Sequence, residues 1–123
     1  MNLKNFTEQQ QQALLDLATL AMYADGHQAA SEDDRIARVL TAMGFTTEYD
    51  RGKHFDASIS RISRHSNTAA AARAHAVTLT QNFKTRDERK QVLNLLEDLL
   101  GSDSKVTPQE NNFLSVVRKA LEA

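Results

Sequence analysis

Apolar residues in this chain recur three and four positions apart over almost its whole length. Leu14/Ala18/Ala21, Ile36/Val39/Leu40/Met43, Phe55/Ile59/Ile62, Ala70/Ala74/Val77 and Val92/Leu96/Leu99 each mark one face of a helix. No segment alternates with the period of two that a half-buried strand needs. Helix starts are marked independently. A hydroxyl residue followed three positions later by an acid or amide occurs at Thr7…Gln10, Ser31…Asp34, Thr47…Asp50, Thr85…Glu88 and Thr107…Glu110. In such a capping box the hydroxyl accepts from an orphan amide of the first turn, and the later side chain reaches back to the cap. Pro108, directly after Thr107, stands where its missing N–H costs nothing.

These signals predict helices over Glu8–Ala24, Glu32–Met43, Glu48–His65, Thr68–Phe83, Arg86–Leu100 and Pro108–Leu121. Gly44 and Gly101 stop the second and fifth. Gly52 is a weak point inside the third. Short connections with no flexible linker predict an all-α fold, a single compact bundle of six to seven helices over residues 1–123. The first two helices and the last two read as pseudo-repeated hairpins. Each joins an apolar helix to a capped one through an acidic turn: Ala24-Asp25-Gly26-His27 in the first, Ser102-Asp103-Ser104-Lys105-Val106 in the second.

Composition narrows the chemistry. With no cysteine, thiolate nucleophiles, disulfides and Cys-based metal sites are excluded. The longest apolar stretch, Ala13–Ala24, carries Asp16 and falls short of a membrane span, so a cytoplasmic protein without membrane insertion is expected. The net charge of −1 argues against a general nucleic-acid binder. Its distribution is uneven: −3 over residues 1–45, +4 over 46–91 and −2 over 92–123. That layout suits charge-steered docking to a protein partner, a second copy forming a homodimer among the options.

The acidic turns are the candidate metal site. Asp25, Asp33 and Asp34 in the first, with Glu32 beside them, and Asp103 with Glu110 in the second, offer hard oxygen donors suited to Ca²⁺ or Mg²⁺. The competing reading is local: aspartate closes turns, and acids in a first helical turn complement the helix dipole. Among four histidines, His27 alone stands where it could join such a site. His65 reads as a charge near a helix C-terminus, and His54 and His75 as surface or boundary residues. Ser58, Ser60, Ser63 and Ser66 have no base ordered against them, and no nucleophile elbow or phosphate loop occurs, so no catalytic residue is assigned. Arg51, Lys53, Arg61, Arg64 and Arg73, with Lys84, Arg86, Arg89 and Lys90, could line one side of the bundle. Acidic protein partners or anionic headgroups would suit such a face. Nucleic acid would want aromatics among the cations, and Phe55 and Phe83 read as core.

Ala24-Asp25-Gly26-His27 followed by Ser31-Glu32-Asp33-Asp34 resembles the first half of a TerB-like (tellurite-resistance) domain. Asp103…Val106-Thr107-Pro108-Gln109-Glu110 with Phe113-Leu114 resembles its second half. The resemblance covers nearly the whole chain. It implies an all-α domain with internal pseudo-symmetry and acids gathered near the two turns. It also implies a place in bacterial tellurite or general stress response, or as a module of a DnaJ-like co-chaperone. The function implied is binding or scaffolding, metal ions included, and no catalysis. The chain departs from the pattern at Ser104, where glycine is expected, and at Ala29-Ala30, which lengthen the first connection. A divalent-cation-dependent sensor or enzyme built on the two turns is the alternative reading, and a nucleic-acid adaptor using the basic middle a third.

Overall fold

The computed structural model describes residues 3–24, 34–65, 67–101 and 108–122. They form six helices: α1 (Glu8–Ala24), α2 (Asp34–Ala42), α3 (Glu48–Ile62), α4 (Ala69–Thr80), α5 (Arg86–Gly101) and α6 (Pro108–Glu122). A 3₁₀ turn, Ser63–His65, continues α3, and no strand occurs among the described residues. The start of α1 and of α6 and the all-α class are as the sequence predicts. Gly52 does not split α3; it sits on the solvent side with nothing near its missing Cβ.

Two predicted capping boxes form in full at their expected places, and a third forms its hydroxyl half. At the head of α1 the Gln10 amide donates to Thr7 Oγ1 and the Thr7 amide to Gln10 Oε1, both at 3.1 Å. At α5 the Glu88 amide donates to Thr85 Oγ1, while Glu88 Oε1 accepts from the amides of Lys84 and Thr85. At α3 the Asp50 amide donates to Thr47 Oγ1. The boxes at Ser31…Asp34 and Thr107…Glu110 lie outside the described residues. Gln10 Nε2 donates to Glu88 Oε2 and to Asn82 O, so the caps of α1 and α5 are tied to each other across 78 residues of sequence. Those three donors, the Thr85 amide foremost, hold the Glu88 carboxyl below its ordinary value.

α1 is the axis of the fold. It packs against each of the other five helices, and Ala13 through Ala21 are buried without a break. A helix enclosed on every side has no polar face to present, which is why its sequence is apolar all round. The predicted hairpins exist as packed pairs, α1 on α2 and α5 on α6, but their settings differ, since α1 is enclosed on all sides. The buried apolar residues of all six helices join one cluster, sealed at the chain start by Leu3 and by Phe6, whose ring meets Phe83 edge-on at 5.6 Å. Gly44 ends α2 at φ 106°, with its amide on Thr41 O and that of Phe45 on Leu40 O. That is a Schellman turn, which needs a left-handed residue where Gly44 stands.

α4 corrects the sequence reading. Ala70/Ala74/Val77 is its outer face: Ala70 and Ala74 are exposed, and Val77 is 37% exposed. Its inner face is Ala72, Ala76 and Leu79, with Phe83 just beyond. Four consecutive alanines carry no contrast between faces, so the bulky Leu79 and Phe83 set the rotation. Among the described residues no helix is long and apolar enough to cross a membrane.

Candidate functional site

Two polar constructions stand out, one buried and one exposed. The buried one begins with Asp16, the single acid on the enclosed stretch of α1. Its carboxylate, 3% exposed, accepts from Arg61 through Nε at 2.9 Å and Nη2 at 2.8 Å. The Ser58 hydroxyl donates to Asp16 Oδ1 at 2.6 Å, and Thr19 Oγ1 lies alongside at 3.2 Å while donating to Leu15 O. Ser58 and Arg61 are three apart on α3 and so share one face, turned toward α1. Both carboxylate oxygens are thereby met by donors, which is what makes a charge tolerable here. This overturns the expectation that no base stands near Ser58: a carboxylate does. The Ser58 hydroxyl is nonetheless fully buried, so the pairing locks helices and offers no nucleophile to solvent.

Two histidines stand close by. The rings of His65 and His75 stack at 3.9 Å, 12° from parallel, joining the 3₁₀ turn to α4. Burial, then the His65 ring, hold His75 below its ordinary 6.5, against the pull of Asp16. His65 stands at the end of the turn that continues α3 and His75 at the boundary of the core, as the sequence suggests, but the stacking of the two rings was not foreseen. His54 stacks on Phe45 at 3.8 Å in the same manner.

The exposed construction is a cleft of about 720 Å³ between the first half of α5 and the end of α6. Arg86, Arg89, Lys90, Leu93 and Asn94 recur at i, i+3, i+4, i+7 and i+8, hence along one face, and Lys84 enters just ahead of the helix. Leu121 and Glu122 close the far wall. Four cations thus meet one carboxylate. Arg89 is held in place by its Nε, which donates to Phe83 O at 2.7 Å. The positions themselves are informative. A helix N-terminus carries the positive end of the dipole and favours anions, yet Lys84 and Arg86 stand at the start of α5. Asp87 and Glu88 in the same turn complement the dipole, while Lys84, Arg86, Arg89 and Lys90 line the cleft.

The predicted acidic site lies largely outside the described residues. Asp25, Asp33 and Asp103 lie outside the described residues, as do Glu32 and His27. Asp34 and Glu110 stand in the first turns of α2 and α6, and their side chains also lie outside the description. Among the described residues no group of three or more His, Asp or Glu could hold a metal ion. Of the predicted basic face, Lys84, Arg86, Arg89 and Lys90 come together in the cleft, whereas Arg61 is drawn away to Asp16. The Leu121 wall was not foreseen, because only tertiary packing brings it there. The chain matches no protein-family model, no curated protein and no solved structure.

Proposed function

We propose that this chain is a non-enzymatic, cytoplasmic, TerB-like binding domain that docks an acidic segment of a protein partner in the cleft between α5 and α6. The observation that carries this reading is the crowding of four cations at the positive end of α5, around a recess walled by Leu93 and Leu121. Cations and an apolar wall together suit a peptide that alternates carboxylates with bulky aliphatic side chains. They suit nucleic acid less, since the described lining residues include no aromatic ring on which a base could stack and the net charge of the chain is −1. The two packed hairpins and the TerB-like motifs at their turns support a scaffold role in bacterial tellurite or general stress response.

The test is a fluorescence-anisotropy titration with a labelled peptide alternating glutamate and leucine. Binding should weaken steeply with salt, and Arg86→Glu with Lys90→Glu should abolish it while leaving the fold intact. A duplex oligonucleotide bound more tightly than the peptide would refute the reading. The acidic segments around Asp25 and Asp103 supply the rival, a divalent-cation-dependent sensor or enzyme. A melting temperature that climbs with millimolar Ca²⁺ or Mg²⁺ would favour that rival.

A further inference from the structure

A second recess lies across α1 and α3 and is independent of the basic cleft. It holds about 290 Å³, with Leu15 and Met43 among its lining. Both of these side chains are buried, so the recess reaches the core rather than a loop. The stacked rings of Phe45 and His54 form one wall, and the Schellman turn at Gly44 fixes where Phe45 leaves α2. Arg61 contributes the polar end.

Arg61 is unlike a surface arginine. Two of its five N–H donors are bound to Asp16, which is itself held by Ser58, so the guanidinium plane is fixed before any ligand arrives. Its side chain remains 34% exposed, and three of its donors have no partner among the described residues. A donor whose rotamer is already set loses little entropy on binding, the usual cost of using arginine for recognition. The charge of Arg61 is cancelled by Asp16, and Glu8 at the rim leaves the neighbourhood slightly negative. A carboxylate therefore finds no net positive charge to hold it. A cation is not held either, because Glu8 is exposed and screened.

We propose that this recess is a binding site for a small, neutral, planar molecule, its ring against Phe45 and His54 and a carbonyl-type acceptor on Arg61. The volume sits at the lower edge of ligand pockets, which run from roughly 300 Å³ upward, and so fits a single substituted ring.

The test uses three probes of one shape and different charge: benzamide, benzoate and benzylammonium. Saturation-transfer NMR on the full chain should show benzamide bound several-fold more tightly than either ion. Gln12→Trp, which fills the mouth from α1, should abolish the signal at an unchanged melting temperature. Glu8→Trp, at an exposed position, should do the same if Gln12→Trp fails to fold. Arg61→Lys keeps a cation for Asp16 but loses the planar donors, so benzamide should weaken while the Arg86/Lys90 cleft still binds acidic peptide. Equal transfer from all three probes, no transfer from the wild type, or transfer that survives both tryptophan variants would overturn the proposal.

Discussion

Replacing Arg61 with methionine removes the bidentate partner of a carboxylate that has almost no access to water. Asp16 keeps only the Ser58 hydroxyl, and its side chain is 4% exposed. Breaking a fully buried pair by removing one partner costs about 3–5 kcal/mol, because the survivor's charge is left uncompensated. Arg61 is itself a third exposed, so water already bears part of its solvation, and about 2–3 kcal/mol is the expected loss here. Unfolding entropy of about 2.1 cal/mol/K per residue, over 123 residues, makes that a fall in melting temperature of about 8–12 °C. Urea denaturation followed by circular dichroism at 222 nm measures the free energy directly. The pairing also predicts strong non-additivity. Arg61→Met in an Asp16→Leu background should cost far less than in the wild type, with a coupling of about 2 kcal/mol. A single-variant loss under about 0.5 kcal/mol, or strictly additive effects, would show that the buried network does not join α1 to α3 as described.

Three further outcomes follow from the same structure. His75 titrates below its unfolded value of 6.5, so its neutral form stabilises the fold fully above that pH. Stability should fall as pH drops through 6.5 toward the folded value, and His75→Gln should flatten the melting curve there. Gly52→Ala should raise stability by about 0.5–1 kcal/mol, because an exposed helical glycine loses backbone entropy without using its freedom. On α4, Ala74→Lys should change stability by under about 0.5 kcal/mol, whereas Ala76→Asp should unfold the chain by placing a bare charge at a fully buried site.

The elements of this fold were readable because local chemistry marks them. Thr7/Gln10 and Thr85/Glu88 announce their helices with bonds that involve only neighbouring residues, and Gly44 stops α2 by a backbone conformation that glycine adopts freely. The rotation of α4 was misread where local contrast vanishes: in an alanine run, a face is defined only by what packs on it. Asp16 was visible only as a charge that argues against a membrane span. Its partners Ser58 and Arg61 lie more than forty residues away, and nothing local selects them over other serines and arginines. The cations of the cleft were visible as a run on α5. The apolar wall was not, because Leu121 reaches it only through the packing of α6 on α5.

The central claim is that the cleft between α5 and α6 receives an acidic partner segment. Mapping backbone amide shifts in two-dimensional ¹H–¹⁵N NMR, as the glutamate–leucine peptide is added, tests it most directly. The account predicts shifts concentrated at Lys84, Arg86, Arg89, Lys90 and Leu93, and at Leu121 across the cleft, that fade as salt is raised. Shifts spread evenly over the surface, or centred on α2, would contradict it.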